Sequence, residues 1–160
     1  SQFNDSPPQP MPQSLAKIYI HLVFSTKNRE PFLITAVRDD LHSYMAATLN
    51  NVQCPVVLMN SIEDHIHILF RLGRTITISR AVEEVKKLSS KWLKTHSTAL
   101  QSFAWQNGYG AFSVSESNVS AVCEYIANQR EHHRTSTFQD EYRAMLKRHG
   151  IQYDERYVWD

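Results

Sequence analysis

Two histidines separated by a single residue, His65 and His67, are the residues of this sequence whose type and spacing most directly suggest chemistry. The run 64–70 alternates polar and apolar residues with period two, which is typical of a half-buried strand. On such a strand both imidazoles project from one face, roughly 6–7 Å apart, and Asp64 directly precedes them. This spacing would let both rings bind one metal ion, although two histidines on a solvated strand face are the ordinary alternative.

A second candidate group lies on a later predicted helix that begins near Ser117. Tyr125 and Gln129 are four residues apart on this helix, and His132 follows them. Residues at this spacing share one helix face, so the tyrosine and the glutamine would lie together beside the apolar stripe. A tyrosine in that position is normally a packing residue with its hydroxyl in water. A chemical role requires the helix to face the histidines, within the chain or across a dimer.

The elements that must position these groups follow from the hydrophobic pattern. A first strand, 17–25, places Ile18 and Ile20 on one face and His21 and Ser25 on the other. The remaining predicted elements are a helix from Thr35 to Asn50-Asn51, a strand over 56–59, a helix over 78–95, a strand within 103–115, and helices beginning near 117 and after 136. The 78–95 helix is predicted to bury Ile78, Val82, Val85, Leu88 and Trp92. The short strand 56–59 and the histidine strand are predicted to form an antiparallel hairpin.

Two groups of basic residues are candidates for contacts with phosphate. Lys27 and Arg29 lie in a turn after the first strand. Lys87, Lys91 and Lys94 share one side of the 78–95 helix with Arg80, and Glu83 would partly neutralise Lys87. A solvated loop and a solvated helix face are the ordinary interpretations of these groups.

The stretch 103–115 contains Gly108 and Gly110, two of the four glycines of the chain, on either side of Tyr109. Glycine weakens a strand, so this pair indicates a bulge or a close backbone approach by a ligand. Tyr109 beside such a gap could stack on a nucleotide base. A bulged strand with aromatic core residues is the ordinary alternative.

Composition indicates one ordinary globular domain. The chain has 160 residues, 42% of them hydrophobic and 21% charged, with a net charge of +1, so any binding of phosphate must depend on local patches. Residues 1–14 are rich in proline and predict a disordered tail, which leaves 15–160 as a single domain. We expect no membrane span and no signal peptide. Two cysteines without motif spacing fit a reducing cytoplasm.

The predicted element order is strand, helix, strand, strand, helix, strand and then two helices. This order predicts an α+β fold, a ferredoxin-like βαββαβ antiparallel sheet with helices on one face and an extra C-terminal helix that carries Tyr125. The first strand and the histidine strand would lie at the centre. The second sheet face would be open and would form the working face, partly covered by the tyrosine helix.

Three motifs together resemble a known family. The Asp-His-Ile-His strand, the segment Trp105-Gln106-Asn107-Gly108-Tyr109-Gly110-Ala111-Phe112-Ser113-Val114-Ser115, and Tyr125-Ile126-Ala127-Asn128-Gln129 with His132-His133 resemble the single-tyrosine transposases of the IS200/IS605 type. These enzymes belong to the histidine–hydrophobic–histidine endonuclease superfamily. The resemblance runs from about Leu15 to Trp159, and its motifs are far more specific jointly than singly.

The resemblance implies a chemistry for each matching residue. His65, His67 and Gln129 match the metal ligands, Tyr125 matches the nucleophile, and Asp64 matches a supporting acidic residue. The implied cofactor is Mg²⁺ or Mn²⁺, although two imidazoles alone do not exclude zinc. The implied reaction is cleavage and rejoining of single-stranded DNA at hairpin-flanked ends through a 5′-phosphotyrosine. The implied assembly is a homodimer, in which the tyrosine helix can complete the partner's site.

Two other functions remain open at this point. A rolling-circle-type nicking domain shares the histidine pair and the tyrosine, but such domains usually place them in a different order. A non-enzymatic module could hold single-stranded nucleic acid by stacking on the sheet. The second interpretation leaves the histidine pair, Tyr125 and Gln129 without a joint task.

Overall fold

The computed structural model describes residues 12–160, so most of the predicted tail lies outside the described residues. The strands and helices are β1 (Tyr19–Ser25), α1 (Thr35–Asn51), β2 (Val56–Ser61), β3 (His65–Arg71), α2 (Ile78–His96), β4 (Gly110–Val114), α3 (Val119–Ala127), α4 (Gln129–His132) and α5 (Phe138–Arg148). Short 3-10 turns lie at Lys27–Arg29, Thr98–Leu100 and Glu116–Asn118. Between residues 12 and 160, every helix is too short or too polar to cross a membrane.

The four strands form one antiparallel sheet in the order β2-β3-β1-β4. The predicted βαββαβ fold is therefore confirmed, including the hairpin of β2 with β3 and the central place of β1 and β3. The register pairs Val23 with His67 and Ser25 with His65. The histidine strand is held from both sides by hydrogen-bonded neighbours, which gives its side chains fixed positions.

One face of the sheet packs against α1 and α2. Ile66, Ile68 and Phe70 of β3 join the larger core cluster there, together with residues of both helices. Helix α2 is rotated relative to the prediction, because Ala81, Val82, Val85, Ser89 and Leu93 are its buried residues, whereas Ile78, Leu88 and Trp92 are only partly buried. The reason is the small side chain at Ser89, whose hydroxyl accepts a hydrogen bond of 2.9 Å from the Trp105 indole and leaves room for that ring.

The second face of the sheet is covered rather than open, which corrects the prediction of a half-buried strand. Six of the seven residues of β3 are buried. Helix α5 supplies a second cluster on this face, with Phe138, Tyr142, Met145 and Leu146 packed against Val23 and Phe112. From the terminal segment, Val158 and Trp159 join this cluster, while Tyr157 stays 64% exposed.

The glycine-rich stretch is approached closely by the chain itself. The Tyr142 ring lies 2.7 Å from the place where a Cβ at position 110 would be, and the Gly108 N–H donates to the Asp160 carbonyl at 2.7 Å. Tyr109 packs against the larger core cluster. The bulge that was predicted here is not seen in the β1–β4 register, and a register shift lies instead in β2, between Val56 and Leu58. The glycines therefore make room for the C-terminal part of this chain, and the described structure gives Tyr109 a packing role.

The predicted tyrosine helix is interrupted at Asn128. Asn128 has φ −98° and ψ 25°, so α3 ends before it and α4 begins at Gln129. Despite the break, the Gln129 side-chain amide still reaches back to the Tyr125 carbonyl at 3.4 Å. The two residues therefore remain neighbours, as their spacing predicted.

Candidate active site

The two strand histidines and a glutamate from α5 form a buried cluster. His65, His67 and Glu141 each offer one ligand atom, and these atoms all lie within 4.8 Å of one another. The Nε2 of His67 is 2.6 Å from Glu141 Oε1, and the Nε2 of His65 is 3.8 Å from the same oxygen. Both imidazoles are fully buried. The period of β3 places both rings on one face, as predicted, and α5 brings the carboxylate onto that face.

Glu141 was missed by the sequence analysis, although a signal was present. It lies in the apolar stripe of α5, three residues after Phe138 and four before Met145, where a carboxylate is unexpected. His133 was noted only as part of a motif. Its Nε2 lies 3.0 Å from His65 Nε2 and 3.2 Å from Glu141 Oε2. A third imidazole nitrogen therefore borders the cluster.

Three buried atoms of this cluster lack a well-directed hydrogen bond to the described part of the chain. The Nε2 of His67 and both carboxylate oxygens of Glu141 are inaccessible, yet none of them makes a well-directed hydrogen bond within the described residues. Leaving buried polar atoms unpaired is costly, so such a group calls for an explanation. Imidazole nitrogens and a carboxylate that converge in this way fit a divalent cation.

Each strand histidine is oriented by a second side chain. Asp64 Oδ1 lies 2.8 Å from Nδ1 of His65, and Nε2 of His21 lies 2.9 Å from Nδ1 of His67. These contacts fix the ring orientation and leave Nε2 of both histidines directed at Glu141, which is the usual arrangement around a metal ligand. Asp64 therefore contacts His65 directly, and its supporting role stays a prediction, whereas His21 was placed on the correct strand face without a role.

Burial keeps the central imidazoles neutral. It lowers the pKa of His21 to about 3 and that of His67 to about 4. Burial also favours the protonated form of Glu141, but the neighbouring His133 and His67 outweigh this effect and lower the pKa of that carboxyl. At neutral pH His67 therefore offers a neutral nitrogen lone pair beside the negative Glu141 carboxylate, which is the protonation state that a cation requires.

Tyr125 and Gln129 reach the cluster within the same chain. The Tyr125 ring centroid lies 5.7 Å from that of His67 and 4.6 Å from that of His132. Gln129 is fully buried, and its Oε1 lies 3.3 Å from Nε2 of His65. Burial raises the pKa of the Tyr125 phenol, the Glu141 charge raises it further, and the Arg148 charge works in the opposite direction. The hydroxyl therefore lies in the field of the same carboxylate that faces the histidines.

The predicted phosphate contacts are divided between the two sides of the molecule. Arg29 lines a cavity of about 610 Å³ together with Asp64 and His133, so the Lys27–Arg29 turn lies next to the cluster. Lys87, Lys91 and Lys94 are exposed on α2, which packs against the opposite sheet face. Lys87 lies 3.4 Å from Glu84, which corrects the predicted pairing with Glu83.

The comparisons with known proteins decide the family. Residues 14–129 match the family described as IS200-like transposases. The chain belongs to the IS200-like transposase family. No curated protein sequence matches the chain.

Two solved structures resemble this IS200-like transposase in fold. One is a candidate transposase from Deinococcus radiodurans, with 21% sequence identity and a TM-score of 0.59, over 76% of this chain and 97% of that one. The other is a REP-associated tyrosine transposase bound to a REP hairpin, with 16% identity and a TM-score of 0.57, over 78% of this chain and 74% of that one. At these identities the likeness concerns the fold.

The family match includes only part of the cluster. It contains His65, His67, Tyr125 and Gln129 but ends before α5, so Glu141 lies outside it. Membership assigns the chain to the transposases, whose reaction is DNA strand cleavage and transfer. The carboxylate at the centre of the cluster is therefore a feature of this chain that the family match does not supply.

Proposed function

We propose that this protein is a metal-dependent transposase that cleaves and rejoins single-stranded DNA at hairpin-flanked ends through a 5′-phosphotyrosine. One observation carries the proposal: a phenol, two imidazoles and a carboxylate from three separate elements converge in one buried cluster. The family match supports transposase function, and the burial of the cluster supports chemistry in a site from which water is excluded.

We infer that His65, His67 and Glu141 hold the cofactor and that Gln129 provides an amide oxygen beside them. This donor set combines nitrogen and oxygen atoms and suits Mn²⁺ or Mg²⁺. A divalent cation bound there would neutralise the Glu141 charge and polarise the scissile phosphate. Asp64 and His21 keep the two ligand rings in place through their Nδ1 atoms.

Tyr125 is the proposed nucleophile. Its phenolic oxygen attacks phosphorus and gives up its proton, the bond from phosphorus to the 3′ oxygen breaks, and that oxygen takes up a proton to become a 3′-hydroxyl. The DNA 5′ phosphate remains joined to the tyrosine. Rejoining reverses these steps with another 3′-hydroxyl, so no nucleoside triphosphate is needed. The tilted ring contact of Tyr125 with His132 holds the phenol beside the cluster while this exchange takes place.

The proposed partner is single-stranded DNA with a hairpin at the element end. One structural neighbour is described as bound to a REP hairpin, which supports this choice. Lys27 and Arg29 are the proposed phosphate contacts near the site, and Lys87, Lys91 and Lys94 are proposed to contact DNA on the opposite side of the sheet.

A homodimer remains the proposed assembly. Because Tyr125 and the histidines meet within one chain, we propose that each site works with its own tyrosine.

The decisive experiment is a search for a covalent adduct. The protein is incubated with Mn²⁺ and hairpin oligonucleotides that have random single-stranded flanks, and products are analysed by denaturing gel and peptide mass spectrometry. We expect a DNA adduct on Tyr125 that EDTA prevents and that Tyr125→Phe abolishes. Tyr157→Phe, at an exposed tyrosine, is the matched control and should retain the adduct. An adduct on another residue would contradict the proposal, and binding without any cleavage would favour the non-enzymatic module.

A further inference from the structure

A cavity of about 420 Å³ opens directly beside Tyr125, between β4, α3 and the end of α5. Its walls include Phe112, Val122, Tyr125, Arg148 and His149. The volume falls within the range of roughly 300–1,000 Å³ that is usual for small-ligand sites. None of the proposed ligands of the cation lines this cavity, so the proposed function gives it no role.

A second cavity, of about 230 Å³, lies on the other side of the same tyrosine. Glu141 and His132 line this second cavity, whereas Tyr125, Met145 and Arg148 line both. Tyr125 therefore stands between two adjoining spaces. A DNA strand whose scissile phosphate meets the tyrosine hydroxyl must place its flanking nucleotides on the two sides of this residue, where the two cavities lie.

The larger cavity has the surfaces that a nucleobase prefers. The rings of Phe112 and His149 are stacked, with centroids 4.5 Å apart and an interplanar angle of 28°. Bases stack favourably on such aromatic surfaces whatever their sequence. Ser113 and Asn118 also line the cavity and provide polar groups for the edge of a base. This combination of apolar faces and a few polar groups is typical of ligand pockets.

The rim of the cavity has the charge that a phosphodiester prefers. Arg148 is exposed and borders both cavities, next to the nucleophile. A guanidinium can bind phosphate oxygens through two parallel hydrogen bonds. His149 follows Arg148 at the same rim. The cavity therefore joins an aromatic wall to a cationic rim at the position that a nucleotide next to the cleaved bond would occupy.

We propose that this cavity is a nucleoside pocket, which receives the base next to the scissile phosphate while Arg148 binds the adjoining phosphate. The proposal rests on the proposed function of the same site and adds a place where the enzyme itself contacts the sequence at the cleavage point. The exposed His149 ring, which is stacked on the buried Phe112 ring, holds the base by stacking, and Ser113 and Asn118 discriminate between bases through their polar groups.

Binding of mononucleotides tests the pocket without any cleavage. Methyl-labelled protein is titrated by NMR with each of the four 2′-deoxynucleoside 5′-monophosphates, and with 2-deoxyribose 5-phosphate as the control that lacks a base. We expect at least one nucleotide to shift the methyl signals of Val122 and Met145 saturably. The sugar phosphate should leave these signals nearly unchanged. The methyl signal of Met45, in the core beneath the opposite sheet face, is the internal reference.

Two substitutions sharpen the test. Val122→Trp fills the cavity and should weaken nucleotide binding by about tenfold or more. Arg148→Gln removes the cation at the exposed rim and should weaken binding by severalfold without affecting the fold, whereas Arg134→Gln, at an exposed arginine paired with Glu131, should leave binding unchanged. If Val122→Trp fails to fold, the titration of the wild type and the Arg148 comparison still decide.

The possible outcomes separate this proposal from the proposed function. If no nucleotide shifts the Val122 and Met145 signals, or if both substitutions bind nucleotides as the wild type does, the pocket assignment is wrong even when the Tyr125 adduct forms. If nucleotides bind in the cavity but no adduct forms with any oligonucleotide, the pocket stands and the proposed reaction is wrong.

Discussion

The two faces of β3 are equally buried, but one carries apolar side chains and the other carries imidazoles. Ile66 and Ile68 point toward α1 and α2 and are fully buried in an apolar core. His65 and His67, the alternate residues of the same strand, are also fully buried, but they face Glu141 on α5. On the first face both isoleucines belong to an apolar cluster, whereas on the second face His67 Nε2 and both Glu141 carboxylate oxygens are buried without a well-directed hydrogen bond to any residue that the structure describes.

Burial alone therefore does not distinguish a core from a site in this protein. Among the described residues, the distinguishing observation is the polar atom that is buried without a well-directed hydrogen bond, because such an atom costs folding free energy. If this interpretation holds, substitutions on the isoleucine face should change stability and spare metal binding, and substitutions on the histidine face should do the reverse.

The strongest test of this contrast is His67→Ala. We expect Mn²⁺ binding to the folded protein to become undetectable by calorimetry, because a ligand nitrogen at the centre of the cluster is lost. The far-ultraviolet circular dichroism spectrum should stay that of the wild type. Retention of wild-type Mn²⁺ affinity would show that the histidine face is only another core.

Ile68→Ala provides the reciprocal test on the opposite face. Truncating a fully buried isoleucine costs about 2–5 kcal/mol of unfolding free energy, which urea denaturation measures. The folded fraction should bind Mn²⁺ with an affinity within about threefold of the wild type, because Ile68 contacts neither ligand ring. A large loss of Mn²⁺ affinity would mean that the two faces are coupled through the strand.

Glu141→Gln tests the residue that joins the histidine face to α5. The amide keeps the shape and removes the charge, so Mn²⁺ affinity should fall by about 100-fold, which corresponds to roughly 2.7 kcal/mol. Glu131→Gln, at an exposed glutamate, is the matched control and should bind as the wild type. Equal affinities of the two variants would exclude the carboxylate as a ligand.

Acidification of the metal-free protein tests the histidine face through a smaller expected effect on stability. Burial lowers the pKa of His21 to about 3 and of His67 to about 4, whereas both titrate near pH 6.5 in an unfolded chain. Between about pH 6.5 and pH 4 the unfolded chain binds more protons than the folded protein. The free energy of unfolding therefore decreases as the pH is lowered, by at most about 1.4 kcal/mol per pH unit for each of the two groups.

Urea denaturation in EDTA at several pH values measures this slope. His21→Gln removes one of the two groups, so its free energy of unfolding should fall less steeply over the same interval. A wild-type stability that is flat between about pH 6.5 and pH 4 would mean that these imidazoles are not held neutral by the fold.

The sequence was sufficient for the sheet because strand periodicity is a local property. Alternation along 18–25 and 64–70 predicted both central strands and placed the histidine pair on one face, and the element order predicted the topology. Tyr125 and Gln129 could be paired because helical spacing is equally local. Their relation to the histidines came only from the family resemblance.

The full set of residues in the site could not be predicted, because it depends on contacts between elements that are distant in the sequence. Glu141 becomes a candidate ligand only because α5 docks on the histidine face, and that docking depends on Tyr142 and Met145 meeting the sheet far away in the chain. The expectation of an open face was wrong for the same reason. His21 was placed correctly on its strand, but its contact with His67 depends on the diagonal neighbours in the β1–β3 register.

Position 110 controls the site from a distance. The Tyr142 ring occupies the space that any side chain at this position would need, and Tyr142 is the next residue after Glu141. A single added methyl group, as in Gly110→Ala, would force the Tyr142 ring to move, and we expect this shift to alter the separation of carboxylate and imidazoles without changing any donor atom. If the proposed cation binds at the cluster, the size of ion that it accepts would therefore depend on an edge strand that offers no ligand atom.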